Sequence, residues 1–519
     1  MKPIRHVVIG LLAVGLIFSA GNCLAKKITL VYGTTEKVTD MDPANAYDFH
    51  TWEIFENVYR GLLGYPAGET KLVPMLATGY TISPDGKDYT FKLRHGLKFS
   101  DGTPFDANAV KWSIDRVMRI KGDPSWLVTD FVDKVVVVNM NTVKFVLKHP
   151  CAYFPSLVAT PPYFPVDPKI YPPDTIVKNP SDLKGGKLVG LGAYEMSSFK
   201  RDEEIVLDAN PHFYGPKPKN NRIVIRYFAD ATTMRLALQR GDLDFAFKTF
   251  NPSDIADLQK HPKLRTIKGQ GPYIRYICFQ CETPPFNDKV VRQAVAAAVN
   301  RPEIIRKVFL GQNSPLYSMV PKGMWTHIDA FKTTLGDGNI KLTKKLLASR
   351  GFNAKHKLKI DLWYTPSHYG DTEVDMAAVL QKQLDATGVI TVNVHSAEWA
   401  TYKKNWREKL MPVYLLGWYP DYIDPDDYTA AFAGTTGSAG NGIFFSNPKW
   451  DALFTKEQTN PSEKARAEIF HRIQKMWTDE VPTVPIFQGN LYLFTQKDVR
   501  GVKISPTLQF IYSPIHLVK

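Results

Sequence analysis

Hydrophobic and polar positions between residues 89 and 118 follow a strand, turn and helix pattern. Residues 89–93 place Tyr, Phe and Leu at every second position, which predicts a half-buried strand. A glycine at 96 and the Asp-Gly-Thr-Pro sequence at 101–104 predict a turn, because glycine tolerates positive φ and proline fixes φ. Asp106 is a good helix N-cap, and apolar residues at 110, 114 and 117 predict a helix behind it.

Strand-like and helix-like patterns alternate along much of the remaining chain. The predicted helices are 50–63, 232–240, 342–350 and 373–387, and the predicted strands are 27–32, 134–147, 223–228, 358–364, 390–394, 412–416, 484–487 and 491–494. This alternation predicts βαβ units and an α/β fold. The chain has 519 residues, and at about 150 residues per domain it needs two to four lobes.

The first 25 residues have the pattern of an export signal. Lys2 and Arg5 form a positive region, and an apolar run follows at residues 7–20, which is too short for the ~20 residues that span a bilayer. Small residues before position 26 predict cleavage after Ala25. A lipoprotein would use Cys23 instead, although Asn22 is a poor residue in front of such a cleavage site. The sequence therefore predicts an exported, periplasmic protein.

The formal net charge of +14 allows a nucleic-acid or anionic-membrane partner. The lysines are scattered, however, and no run of five or more basic residues occurs. We interpret the charge as a solubilising surface and predict no nucleic-acid partner.

Catalytic and metal-binding motifs are absent from the sequence. It contains no GxSxG, HExxH or P-loop, and its twelve histidines are dispersed. Cys278 and Cys281 form a CxxC within a strand-like segment, where residues three apart face opposite sides and lie about 10 Å apart, beyond disulfide reach. We predict no enzyme, no metal site and no cofactor, and we interpret the cysteines as structural, with a bridge from Cys151 to one of the pair as the alternative.

The segment at 89–118 resembles the signature of the peptide/nickel class (family 5) of extracytoplasmic solute-binding proteins, which supply ABC importers. Its F-x-L-R strand, V-K-F-x-D-G-x-P-F turn and V-x-x-S-x-x-R helix correspond to Phe91, Leu93, Arg94, Leu97, Lys98, Phe99, Asp101, Gly102, Pro104, Phe105, Val110, Ser113 and Arg116. Further phrases of the family occur at 58–62 and 284–294, so the resemblance covers nearly all of residues 27–519.

The resemblance implies an α/β, two-lobed periplasmic-binding-protein fold with an extra subdomain inserted in the first lobe. It implies a signal peptide at 1–25, lobe I at 26–274 with the inserted subdomain at about 70–185, lobe II at 275–489, and a return to lobe I at 490–519. It also implies a monomer that takes up a small-molecule or peptide ligand and passes it to an ABC permease and ATPase complex.

The most informative candidate site is the loop at 416–426, which follows a predicted strand, where open α/β folds place ligands. It resembles the family's G-W-x-x-D-Y-x-D-P loop, and the resemblance implies that Asp421 pairs with the α-ammonium of a bound peptide. Trp418, Tyr419 and Tyr422 offer flat apolar surface beside it. Further candidates for ligand contact are Tyr47, Asp48, His50 and Tyr364, whereas Asp424 and Asp426 are expected to be structural turn acids.

The absence of an arginine from one position bears on the length of the ligand. Dipeptide binders of the family carry an arginine just ahead of the helix that matches residues 376–384, and it grips the ligand carboxylate. Here residues 371–375 contain three acids and no base. This favours peptides longer than dipeptides, or cationic ligands. The alternatives are an oligosaccharide, opine, haem or nickel chelate, and a periplasmic chaperone that holds extended polypeptides.

Overall fold

The structure, a computed structural model, describes residues 28–518 apart from 248, 249, 367, 371, 506 and 509. The predicted signal peptide lies outside these residues. The strands are β1 (Thr29–Thr34), β2 (Leu63–Gly64), β3 (Val73–Pro74), β4 (Ala77–Ile82), β5 (Asp88–Leu93), β6 (Val132–Asn139), β7 (Thr142–Leu147), β8 (Tyr194–Lys200), β9 (Glu204–Ala209), β10 (Arg222–Tyr227), β11 (Phe245–Phe247), β12 (Leu264–Phe279), β13 (Ser314–Pro315), β14 (Leu358–Tyr364), β15 (Ile390–Ser396), β16 (Val413–Trp418), β17 (Thr483–Gln496), β18 (Val499–Arg500) and β19 (His516–Leu517).

Helices lie between most of the strands. They are α1 (Phe49–Val58), α2 (Ala107–Ile120), α3 (Trp126–Thr129), α4 (Phe154–Val158), α5 (Ala231–Arg240), α6 (Pro252–Lys260), α7 (Lys289–Ala298), α8 (Arg301–Phe309), α9 (Ala330–Thr334), α10 (Ile340–Ala348), α11 (Thr372–Asp385), α12 (Trp399–Arg407), α13 (Ala430–Ala433), α14 (Thr435–Gly440), α15 (Pro448–Thr459) and α16 (Glu463–Glu480).

One sheet of eleven strands runs through the whole molecule. Its strands lie in the order β15-β14-β16-β12-β17-β11-β1-β10-β9-β8, with β13 paired to β17. Each half contains parallel pairs, among them β14 with the edge strand β15 in one half and β1 with β10 in the other. The two long strands β12 and β17 pair antiparallel at the centre and join the halves. The predicted α/β architecture is therefore confirmed.

The apolar core is divided between two large clusters. One draws on residues 30–247 and 491–515 together with Tyr422, and the other on residues 274–487. Each cluster packs on one half of the long sheet. This division gives the molecule two lobes, and β12 and β17 run from one lobe into the other.

The inserted subdomain has its own sheet, in the order β4-β5-β7-β6. Helix α2 packs beside it and begins at Asp106, whose carboxylate accepts hydrogen bonds from the backbone N–H groups of residues 108 and 109. Arg116 of this helix is 2% exposed and donates to both carboxylate oxygens of the fully buried Asp42, at 2.7 and 2.6 Å. The signature helix and the early Asp-Pro turn are thus held together by a buried ion pair.

Three predicted elements differ in detail from the structure. Residues 134–147 form the hairpin β6–β7, because Asn139 accepts the backbone N–H of Asn141 and closes a turn. Helix α1 ends at Val58, because Tyr59 adopts an extended backbone with ψ of −172°. The two strands predicted at 484–487 and 491–494 are one strand, β17, with Gly489 in its middle.

The three cysteines of the described chain are free. Cys151 belongs to the first cluster and Cys278 to the second, so the alternative of a bridge from Cys151 is not realised. Burial raises the pKa of all three thiols, to about 11 for Cys281. The three thiols are therefore structural, as predicted.

Candidate ligand-binding cleft

A buried carboxylate, that of Asp427, holds the loop after β16 by hydrogen bonds. Asp427 is 3% exposed, and its Oδ2 accepts hydrogen bonds from Trp418 Nε1 at 3.0 Å and from the backbone N–H of Asp421 at 3.2 Å. Burial, followed by the charge of Asp421, raises the pKa of Asp427 well above its usual range. The hydrogen bond to Asp427 fixes the backbone at Asp421 and therefore the position from which the Asp421 side chain projects.

A second anchor lies on α16. Arg466 donates to both oxygens of Asp424, at 2.9 and 2.6 Å, and to Glu457 Oε2 at 2.8 Å. These three side chains are 4%, 5% and 0% exposed. Asp424 also caps the short helical turn that follows it, and Asp426 accepts from the Tyr422 hydroxyl at 2.8 Å. Asp424 and Asp426 are structural, as the sequence analysis expects.

Asp421 lies where the two lobes meet. Its Oδ1 accepts a hydrogen bond from the hydroxyl of Tyr47, in lobe I, at 2.5 Å. Burial raises the pKa of Asp421 to about 6, although the hydrogen bond from Tyr47 opposes this rise. Tyr419 lies two residues before Asp421, and Phe49 lies two residues after Tyr47. The centres of these two rings are 5.6 Å apart. Both chain segments thus contribute one aromatic ring and one polar group.

A cavity of about 490 Å³ lies beside this contact, between the lobes. It is lined by Glu36, Phe49, Phe247, Phe250, Asn251, Pro252, Ile255, Tyr273, Arg275, Phe309, Gln312, Asn313, His368, Tyr369, Gly370, Thr372, Glu373, Tyr419, Phe487, Asn490, Leu491, Tyr492 and Leu508. Apolar and aromatic walls with a few polar groups are typical of small-molecule sites. We call this cavity the cleft.

A buried guanidinium forms part of the cleft wall. Arg275 is 3% exposed, its Nε lies 3.2 Å from Glu373 Oε1, and its Cζ lies 3.9 Å from the ring centre of Tyr369. A Cβ at Gly417 would lie 2.1 Å from Arg275 Nη1, so the space for this guanidinium depends on glycine at that position. Burial lowers the pKa of Arg275, but the neighbouring Tyr419 and Glu373 outweigh it and raise the pKa overall.

A second cavity, of about 480 Å³, lies between the inserted subdomain and lobe II. Tyr153 and Tyr422 stack beside it with their ring centres 5.1 Å apart. The cleft is the stronger candidate because Tyr419 lines it and the Asp421 carboxylate lies next to it.

The structure brings three of the eight predicted ligand residues together: Asp421, Tyr419 and Tyr47. Tyr47 is 41% exposed and Tyr419 is 37% exposed, so both rings present free surface. The Tyr419 ring also stacks on Tyr273 at 5.2 Å. Direct contact of these residues with a ligand remains a prediction.

Among the described residues of the cleft lining, Tyr419 represents these three, and Asp421 and Tyr47 each lie two residues from a lining residue. The other five make contacts elsewhere. Trp418 packs its ring edge-on to Phe432 at 5.0 Å, and Tyr422 stacks on Tyr153 of the subdomain. Asp48 caps α1 by accepting the backbone N–H of Thr51, and His50 is 2% exposed with its Nε2 2.9 Å from the Tyr227 hydroxyl. Tyr364 pairs with Ser396 at the end of β14.

Sequence reasoning missed Arg275, Glu373 and Gln312 as cleft residues. It found no base ahead of α11, and the described residues 372–375 contain none. The guanidinium comes instead from β12, 98 residues away from Glu373 in the chain. No local pattern indicates that pairing, because it depends on how two distant elements pack.

Two further observations limit the chemistry. Within the described residues, no group of three or more His, Cys, Asp and Glu side chains is placed to hold a metal ion. None of the helices in that part of the chain combines the length and apolar character needed to cross a membrane.

Two lobes joined by a continuous sheet, with an aromatic and polar cleft between them, define a two-lobed periplasmic binding protein. The chain belongs to the bacterial extracellular solute-binding proteins, family 5, whose model, described as the middle part of that family, matches residues 71–440. The resemblance seen in the sequence is thereby confirmed.

Similar proteins cover almost the full length. The probable D,D-dipeptide-binding periplasmic protein DdpA of Escherichia coli K12 is 24% identical over 506 residues, which cover 96% of this chain and 95% of that protein. The heme-binding protein A of Haemophilus influenzae is 26% identical over 500 residues, 92% of this chain and 90% of that protein. The unliganded open form of the periplasmic murein tripeptide-binding protein MppA aligns with a TM-score of 0.83 at 22% identity, and the match covers 96% of this chain and 98% of that one.

Proposed function

We propose that this protein captures short peptides with a free amino terminus outside the cytoplasmic membrane and delivers them to an ABC permease and ATPase complex. It works as a monomer by binding and release, with no bond made or broken. The export signal is cleaved after Ala25, and the lobes divide at residues 274 and 489 as the sequence analysis predicts.

The observation that carries this proposal is the position of Asp421. A carboxylate at the rim of an aromatic cleft is complementary to an ammonium group, and a charge pair at ~4 Å and an effective dielectric of ~20 contributes about 4 kcal/mol before desolvation. The Asp427 contact and the Arg466 network hold the loop, so Asp421 is oriented before the ligand arrives. Pre-organisation of this kind lowers the ordering cost of binding.

Size and relatives support peptides as the ligand class. The cleft, at about 490 Å³, lies within the ~300–1,000 Å³ typical of sites for small ligands. Two of the similar proteins named above bind a dipeptide and a murein tripeptide according to their names. We propose ligands longer than dipeptides, since residues 372–375 offer no carboxylate clamp ahead of α11.

Thermal unfolding in the presence of peptides tests the proposal. The mature chain is stripped of ligand by unfolding and refolding, then titrated with di- to hexapeptides that carry either a free or an acetylated amino end. A ligand at ~100 times its Kd adds about 2.7 kcal/mol, which raises the melting temperature measurably.

We expect free-amine peptides to stabilise the protein, acetylated ones to have little effect, and Asp421→Asn to abolish the difference. Asp479→Asn, at a carboxylate that is 60% exposed on α16, is the matched control and should behave as the wild type. If no peptide shifts the melting temperature, the peptide proposal is wrong and sugars and metal chelates become the next candidates.

A further inference from the structure

The cleft has a charge balance opposite to that of the whole chain. The chain carries a formal charge of +14. Among the described residues that line the cleft, the carboxylates Glu36 and Glu373 outnumber the guanidinium of Arg275, and Asp421 lies two residues from the lining residue Tyr419. His368 adds no cation at neutral pH, because burial followed by the charge of Arg275 lowers its pKa to about 4. The described part of the cleft lining is therefore locally anionic.

Two buried hydrogen-bond acceptors of the cleft lining have no partner. They are Gln312 Oε1, on a residue that is 6% exposed, and Glu373 Oε2, on a residue that is 1% exposed. No buried side-chain donor among the described lining residues is left without a partner. A buried acceptor without a hydrogen-bond partner is unfavourable, so both atoms favour a ligand that brings N–H or O–H donors.

A flip of the Gln312 side-chain amide would not give its Oε1 a hydrogen-bond donor. Its Nε2 donates to the carbonyl of Pro252 at 2.6 Å, which fixes the amide with Oε1 on the other side. Its backbone carbonyl accepts from the Asn490 amide and from the Tyr492 hydroxyl, at 2.5 and 2.8 Å. The acceptor, on a residue of lobe II, is thus held in place by contacts with residues of lobe I.

The one guanidinium of the cleft is already committed. Arg275 donates to Glu373 and to the carbonyl of Ile274, and it stacks on Tyr369. A ligand carboxylate at this place would have to compete with Glu373 for the same cation. Donors on the ligand meet no such competitor at Glu373 Oε2.

We propose that the cleft selects peptides that carry a basic side chain in addition to their free amino terminus. A lysine or arginine side chain supplies three to five N–H donors and a positive charge, which matches both the unpaired acceptors and the local charge. Acidic peptides add a second anion to an anionic site. This inference rests on the proposed function and specifies its ligand class.

Calorimetric titration of the wild-type protein with six tripeptides tests it without any variant. The peptides are Ala-X-Ala and Ala-Ala-X, with X as Lys, Leu or Glu, at low and at raised ionic strength. We expect at least one lysine peptide to bind about tenfold more tightly than its leucine counterpart, equivalent to about 1.4 kcal/mol. The advantage should shrink with salt, and the glutamate peptides should bind most weakly.

The variant Glu373→Gln tests whether Glu373 is responsible for the preference for lysine peptides. This variant removes the charge and the free acceptor at nearly constant size, and we expect it to reduce the lysine advantage to less than threefold while leucine peptides still bind. Glu468→Gln, on an exposed position of α16, is the control and should keep the full preference. The melting temperature of each ligand-free variant shows that it is folded.

The outcomes separate the two proposals. If leucine or glutamate peptides bind as tightly as lysine peptides, this inference is overturned and the peptide function stands. If Glu373→Gln folds and keeps the full lysine advantage, the assignment to Glu373 is overturned. If none of the six peptides binds, the proposed function itself fails.

Discussion

Tyr47 and Asp421 are 374 residues apart in the chain, yet the Tyr47 hydroxyl donates a 2.5 Å hydrogen bond to Asp421 Oδ1. The bond joins the segment before α1 in lobe I to the loop after β16 in lobe II. It orients the carboxylate and also lowers its pKa against the effect of burial. The ligand ammonium that we propose would bind the same carboxylate, so on that proposal this bond couples lobe contact to ligand affinity.

The affinity for peptides should depend on pH through Asp421. Its pKa is raised to about 6, and only the ionised form pairs with an ammonium group. Affinity should therefore be constant near pH 7 and fall as pH drops through 6, approaching tenfold per pH unit below that. Calorimetry between pH 4.5 and 7.5 measures this, with an acetylated peptide as the reference. An unchanged affinity at pH 5 would contradict the role of Asp421.

Tyr47→Phe should move that pH dependence upward. Loss of the hydroxyl removes the hydrogen bond that lowers the pKa of Asp421, while burial still raises it. We expect the midpoint of the affinity loss to lie at higher pH than in the wild type. Tyr80→Phe, at an exposed tyrosine of β4, serves as control and should leave the midpoint unchanged. A midpoint that stays the same or falls in Tyr47→Phe would show that the hydroxyl does not act on Asp421.

Arg466→Met should destabilise lobe II and weaken peptide binding together. It leaves Asp424 and Glu457 buried without their cation, and breaking a buried pair by removing one partner costs about 3–5 kcal/mol. Denaturant unfolding measures the loss of stability, and calorimetry measures the binding. Arg472→Met, at an exposed arginine of the same helix, should change neither. Normal binding by a folded Arg466→Met would mean that the network does not position the loop.

Gly489→Ala should disturb the joint between the lobes. A Cβ at this position would lie 1.7 Å from Cζ of Tyr273, so the ring or the strand has to move. Overpacking of this kind costs about 1–3 kcal/mol. We expect a lower melting temperature and a changed radius of gyration in small-angle scattering. Gly79→Ala, where a Cβ meets nothing within 4 Å, should match the wild type in both measurements.

Local elements could be predicted from the sequence because their patterns are local. The strand predicted at 358–364 coincides with β14, and Asp106 caps α2 as its position suggests. Asp421 is predicted through a loop resemblance; the structure places it two residues from the cleft-lining Tyr419, and its role in ligand binding stays a prediction. The fold class followed from the family signature, whose Arg116 is buried against Asp42.

The cleft wall could not be predicted, because its residues come together only through long-range packing. Arg275 looks like one of many basic residues in a strand, and its burial depends on Gly417 and Tyr369 in other elements. The sequence predicts Tyr422 as a ligand aromatic but gives no sign that its ring stacks on Tyr153 of the subdomain, as it does in the structure. Whether an aromatic side chain packs against protein or stays open to a ligand depends on tertiary contacts with distant parts of the chain.

The joint between the lobes is a pair of hydrogen-bonded strands. Strands β12 and β17 remain paired around two short irregularities. At the first, residues 271–273 of β12 face Gly489 of β17, and at the second, Ile486 of β17 lies opposite the step between Arg275 and Tyr276. A flexible loop between the lobes would leave their relative orientation free. A ribbon of two paired strands resists bending, except where the hydrogen bonds between the strands are interrupted. The ribbon therefore has two places at which bending breaks no strand pairing, and both lie between the lobes. We expect any change in the angle between the lobes to be concentrated at residues 271–276 of β12 and 486–489 of β17.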